Sequence, residues 1–77
     1  MDILINYKDQ KAMAEDIDNR TSINGLKFVV LNMLLPQFRF PRSPDYKDFS
    51  VEIDHPDKDT NEFLTKGVNK ILHNLYW

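Results

Sequence analysis

Residues 48–76 read DFSVEIDHPDKDTNEFLTKGVNKILHNLY, and their apolar period changes once along the way. In the first seven positions Phe49, Val51 and Ile53 alternate with Asp48, Ser50, Glu52 and Asp54. That period of two puts the apolar set on one face of a strand and the acids on the other. Further on, Phe63, Leu64, Val68, Ile71, Leu72, Leu75 and Tyr76 recur at helical spacing, opposite Asn61, Thr65, Lys66, Asn69, Lys70, His73 and Asn74. This is the pattern of an amphipathic helix. Asp59 followed by Glu62 makes an Asp version of the capping box and sets the helix at about 60–76. Gly67 interrupts the apolar stripe at a cost of about 1 kcal/mol relative to Ala, usually compensated by close approach of another element, here expected to be a strand.

Working back towards the N-terminus, Phe38-Arg39-Phe40 repeats the alternation in miniature, and Pro41 to Lys47 has the composition of a loop. A β-hairpin of about 37–41 and 48–54 follows, with Arg39 on the outer face and able to pair across to a strand acid. Between 26 and 35, Leu26, Val29, Val30, Met33 and Leu34 fill an i, i+3, i+4, i+7, i+8 template. Thr21 or Ser22 can cap this helix and Pro36 ends it, so helix is preferred over strand for about 23–35. The rival is a hairpin turn at Asn24-Gly25 that starts a buried strand. Ile3, Leu4 and Ile5 form a short N-terminal strand, and Asn6 and Asp9 can cap a helix of about 8–18 with Met13, Ala14 and Ile17 facing inward. Trp77 either folds back onto the core, the preferred reading because Trp is mostly buried, or stands out as an interface anchor. The fold class is α+β, a single compact domain over 1–77 with the hairpin and N-terminal strand packed on the last helix and the central segment.

A chain of 77 residues leaves no room for a second domain. It contains no Cys, which excludes disulfides, thiolate metal sites, Cys nucleophiles and dithiol chemistry, and leaves stability to packing. The apolar runs Phe28 to Leu31 and Met33 to Leu35 are far short of a bilayer span, and Met1-Asp2 opens no basic leader. A cytoplasmic product without a membrane role is expected.

Motifs for chemistry are weak. Asp57-Lys-Asp59-Thr-Asn61 imitates the start of a calcium loop, but Glu62 stands where the turn needs Gly and Val68 where a bidentate Glu belongs. His55 and His73 have no metal-ligand spacing, so no metal and no cofactor is expected. Ser22, Ser43 and Ser50 lie in no Gly-flanked elbow, and the two glycines form no phosphate loop. The acids could in principle act in pairs, but so small a core offers little depth for separating their pKa values. No enzymatic activity is expected.

Charge is segregated along the chain. Five acids in 1–18 face only Lys8 and Lys11; 19–44 holds Arg20, Lys27, Arg39 and Arg42 and no acid; 45–62 holds seven acids against Lys47 and Lys58. The expected activity is non-enzymatic binding of a protein with a basic surface. The acidic tract Asp48, Glu52, Asp54, Asp57, Asp59 and Glu62 would supply the contact, joined by Arg42, Asp45 and Tyr46 of the proline-stiffened loop. Size alone suggests a viral or mobile-element inhibitor acting in a host cytoplasm on a factor such as a nucleic-acid-binding protein. The alternative is a small nucleic-acid-binding module whose contacts are Arg20, Lys27, Arg39 and Arg42, with Phe38 and Phe40 as stacking rings. Four cations in a chain of pI about 5.5 make that the weaker footprint.

Overall fold

The alternation of Ile3, Ile5 and Tyr7 with Asp2, Leu4 and Asn6 makes a strand whose first set is buried. In the computed structural model, which describes residues 1–76, this strand β1 (Asp2–Tyr7) is the centre of an antiparallel sheet of order β2-β1-β3. Its partners are β2 (Gln10–Ala14) and β3 (Phe49–Asp54). Two helices complete an α+β domain: α1 (Ile23–Val29), continued by a π turn (Val30–Leu34) and a 3-10 turn (Leu35–Gln37), and α2 (Lys58–Tyr76). The radius of gyration is 11.7 Å, against about 11.5 Å for a folded chain of this length. The reading of Trp77 lies outside the described residues.

The helix expected at 8–18 is a strand instead. A two-residue turn with Lys8 in the left-handed region (φ 53°) returns the chain, and Ile3 pairs with Ala14 and Tyr7 with Gln10. Ala12 and Ala14 are buried while Lys11 and Met13 face out. Alanine has high intrinsic helix propensity, and here the hydrogen-bonding edge of β1 overrides it. After β2 the ladder carries one extra residue: Ile17 and not Asp16 donates to the Met1 carbonyl (2.9 Å). Asp16, at φ 58°, occupies the resulting bulge and gives its N–H to the Asp2 carboxylate (3.1 Å).

The expected 37–41/48–54 hairpin does not form either. β3 pairs with β1, from Tyr7 opposite Phe49 to Asp2 opposite Asp54. The edge of β3 that such a hairpin would use is taken by β1, and Pro36 and Pro41 bound the stretch 37–40 on both sides. This stretch runs along the open edge of β2, joined there by two side-chain amides. Gln37 accepts from the Met13 N–H and donates to the Met13 carbonyl; Gln10 donates to the Arg39 carbonyl and accepts from the Arg39 N–H. This covers an edge that could otherwise recruit another strand. It also places Arg39 beside β2, on the far side of the sheet from the acids of β3, so no cross-strand pair forms.

Helix is the correct reading of the central segment, and Ser22 caps it through Gly25 N–H (3.3 Å). Its second half widens into a π turn closed by Leu35 N–H to the Val30 carbonyl. The cause is Pro36, which has no N–H and whose ring would meet the carbonyl one turn back. Widening shifts the inward positions to Val29, Val30, Leu34 and Leu35 and turns Met33, expected inside, out to 44% exposure. In α2 the buried residues are Leu64, Val68, Ile71 and Leu72, while Phe63 and Leu75 at the margins of the stripe are exposed. Tyr7, Phe38, Phe40, Phe49 and Tyr76 close the end of the core as a ring cluster, with Phe49 and Tyr76 stacked at 5.2 Å.

Gly67 does admit a close neighbour, but it is helix α1 and not a strand. A Cβ at position 67 would lie 2.3 Å from Ile23 Cδ1. Gly67→Ala is therefore expected to gain less than the full helix-propensity difference in the parent chain, where the end of the Ile23 side chain must move aside. In an Ile23→Ala background it should stabilise by about 1 kcal/mol, the helix-propensity difference alone. Denaturant melts of the four chains measure the coupling, and an equal effect in both backgrounds would mean that the helices do not touch there.

Candidate partner-binding surface

The sheet order unites two acidic blocks that are far apart in sequence. Because β1 starts, β2 ends and β3 ends on the same side, Asp2, Glu15 and Asp16 meet Asp54 there, with Glu52 two residues back on the outer face of β3. Asp2 and Asp54 are directly opposed in the antiparallel register, a position at which like charges repel. The β3–α2 turn then brings Asp57, with Asp59 in the first turn of α2 and Glu62 further along it. All six expected tract residues are exposed. Asp48 is at the other end of β3, about 20 Å away along a strand of this length. Glu52 and Asp54 project from the sheet face and Glu62 lies on the helix, so the tract wraps around the β3–α2 turn and does not form one flat stripe.

Few cations answer this charge. Among the described residues the only ion pair is Arg20 with Asp18 (3.1 Å), both well exposed. The Arg20 side chain and backbone N–H groups hold the Asp18 carboxyl below its ordinary range, and Asp18 in turn holds the Arg20 guanidinium up. The Met1 ammonium donates to the Ile17 carbonyl and the Asn19 side chain. The Asp2, Glu15, Glu52, Asp54, Asp59 and Glu62 carboxylates have no ion-pair partner among the described residues.

Asp57 differs from its neighbours because it is structural. It, and not Asp59, caps α2: its carboxylate accepts from Thr60 N–H at 2.9 Å and from the Thr60 hydroxyl, and its carbonyl accepts from Asn61 N–H. These bonds, hydroxyl first and then N–H, hold its carboxyl below the ordinary range against slight desolvation. The Asp57 N–H donates to His55 Nδ1 at 2.9 Å, and His55 Nε2 sits 3.1 Å from the Asn19 carbonyl. The ring thus bridges the Asp57 N–H and the Asn19 carbonyl. Asn61, assigned by periodicity to the polar face, donates to the Ile53 carbonyl and ties the helix start to the strand end. The acidic turn is thus hydrogen-bonded to the Asn19 carbonyl, to the start of α2 and to the end of β3.

The loop residues are placed differently. Asp45 caps the short 3-10 turn Tyr46–Asp48 by accepting from Lys47 N–H, and Tyr46 packs edge-on against His73 at 4.8 Å. With Lys47 these residues line a shallow hollow of about 370 Å³. Arg42 is exposed. The four alternative nucleic-acid contacts lie on separate elements: Arg20 is paired with Asp18, Lys27 is on α1, Arg39 lies beside β2 and Arg42 is in the loop. Phe38 is buried and Phe40 packs against Tyr7, Phe49 and Tyr76, so neither ring offers an open stacking face.

Among the described residues no three His, Asp or Glu side chains are gathered as a metal ion would require, and no helix is long and apolar enough to cross a membrane. No family model, no curated protein and no solved structure matches the chain.

Asp57 gives a pH prediction with a definite sign. A carboxyl whose folded pKa is depressed stabilises above its unfolded pKa and loses that contribution as pH falls through the folded value. Asp57→Asn keeps an acceptor for Thr60 but cannot titrate. Its thermal stability should therefore fall less steeply than the parent's on acidification, and Asp57→Ala should be less stable at neutral pH. Melting curves across the acidic range check both, and a neutral-pH Asp57→Ala variant as stable as the parent would remove the cap from the account.

Proposed function

We propose that the chain is a non-enzymatic binding protein that occupies a basic surface on another protein, with the acidic end of the sheet and the β3–α2 turn as its contact. The observation that carries this reading is the opposition of Asp2 and Asp54 beside exposed, unpaired Glu52 and Asp59. Like charges held together cost stability in the free protein, and a cationic partner relieves that cost on binding. The hydrogen-bonded turn supports the same reading, since backbone already held in place loses little entropy when its side chains dock. Lined-up carboxylates also resemble a phosphate backbone in charge, which makes a nucleic-acid-binding protein a suitable target. Small size is consistent with an inhibitor of the kind that viruses and mobile elements encode. Such a product would act in the host cytoplasm by occlusion, without turning over a substrate.

The experiment is charge reversal that spares the structural cap: Glu52→Lys, Asp54→Lys and Asp59→Lys together. The triple variant should keep the parent's circular dichroism spectrum and lose at least about tenfold in affinity for a Lys/Arg-rich peptide, with the parent's binding weakening as salt rises. Titration calorimetry at low and high salt measures it. Unchanged affinity in the triple variant, or binding of the parent to duplex DNA in preference to the basic peptide, would overturn the proposal.

A further inference from the structure

The crossing of α1 and α2 forms a second surface of opposite character. Because Gly67 has no side chain, Ile23 settles directly onto the α2 backbone, leaving a hollow of about 380 Å³ lined by Ile23, Phe63, Lys66, Gly67 and Lys70. Phe63, Lys66, Gly67 and Lys70 fall at i, i+3, i+4 and i+7 and so share one face of α2. Phe63 is 64% exposed, an uncommon position for a large ring at the margin of a small core. Lys66 and Lys70 are exposed, one turn apart, and have no ion-pair partner among the described residues. No acid lines the hollow. On the same face the charge reverses at the N-terminal end, where Asp59 precedes Phe63 by one turn.

We infer that this groove receives an acidic amphipathic helix from a partner protein. Its apolar anchor would lie between Phe63 and Ile23, and carboxylates one turn apart would meet Lys66 and Lys70. Two helices crossing over a residue without a side chain leave a trough that suits a third helix, and helix-in-groove recognition uses anchors at such spacing. The two lysines are about 6 Å apart along the axis, the separation of carboxylates at i and i+4 of a facing helix. Asp59 fixes direction, since it repels a carboxylate placed at the Phe63 end. A lipid surface is flat and fits a concave site poorly. A polyanion long enough to pass Asp59 meets the acidic end of the molecule. This site borders the acidic end proposed above at Asp59, but its contacts at Ile23, Phe63, Lys66 and Lys70 do not depend on that reading.

The test titrates the full-length ¹⁵N-labelled chain with a synthetic amphipathic peptide carrying Leu at i and i+4 and Glu at flanking i, i+4 positions. Parallel arms use the same peptide with Lys for Glu, phosphatidylcholine–phosphatidylserine vesicles and a single-stranded oligonucleotide. The Glu peptide should shift the amides of Ile23 and of Lys66 to Lys70, while the Lys peptide, vesicles and oligonucleotide leave these in place. Lys66→Glu with Lys70→Glu should weaken binding by about tenfold or more, as should Phe63→Ala, each with an unchanged circular dichroism spectrum. Shifts confined to other regions, no binding at millimolar peptide, equal affinity in the folded variants, or a response to vesicles or oligonucleotide in place of the peptide would each overturn the inference.

Discussion

Pairing of β1 on both its edges is the constraint on which the rest of the molecule depends. The strand contributes Ile3, Ile5 and Tyr7 to the core, and its hydrogen bonds hold β2 on one side and β3 on the other. The two antiparallel registers allow one arrangement of outward residues, because a shift of one position would turn Ile3 and Ile5 to solvent. Asp2 therefore has to face Asp54, and the N-terminal acids have to gather with those of the β3–α2 turn. Apolar burial far exceeds the cost of crowding exposed carboxylates in water, so the fold tolerates the repulsion. The binding surface proposed for the protein is a by-product of how its core is built.

How much of this is legible in sequence depends on side-chain size and on the range of the contacts. β3 and α2 are plain because Phe49, Ile53, Leu64, Val68 and Leu72 are large and fall on clear periods. The β1–β2 hairpin is hidden because its inward residues on the second strand are Ala12 and Ala14, small and helix-favouring, and because Lys8-Asp9 lacks the Gly that usually marks such a turn. The partner of β3 could not be read from periodicity, which gives a strand its faces but not its neighbour. Each acid of the tract is visible by composition. The addition of Asp2, Glu15 and Asp16 required the sheet order, and the cap at Asp57 in place of Asp59 required the turn geometry with Thr60.

The same economy shapes the two sheet edges and the two ends of the charge distribution. Gln10 and Gln37 use their amides to close the β2 edge, where a charged residue would otherwise serve to discourage pairing with other chains. Glu52 and Asp54 supply charge on the opposite edge strand, a feature that discourages edge-to-edge pairing. Lys27, Lys66 and Lys70 lie on the helical layer. A net charge of −2 thus conceals a gathering of carboxylates at one end of the sheet and a separate pair of ammonium groups, Lys66 and Lys70, on one face of α2.

The crowding of carboxylates at the sheet end is tested most directly by the stability of Asp54→Lys as a function of salt. Opposite Asp2, a lysine turns repulsion into attraction, so at low ionic strength the variant should melt above the parent and the gap should narrow as salt screens both chains. The parent itself should gain stability with added salt. A variant that melts below the parent at low salt, with a parent indifferent to salt, would show that the carboxylates do not repel one another and would contradict the account.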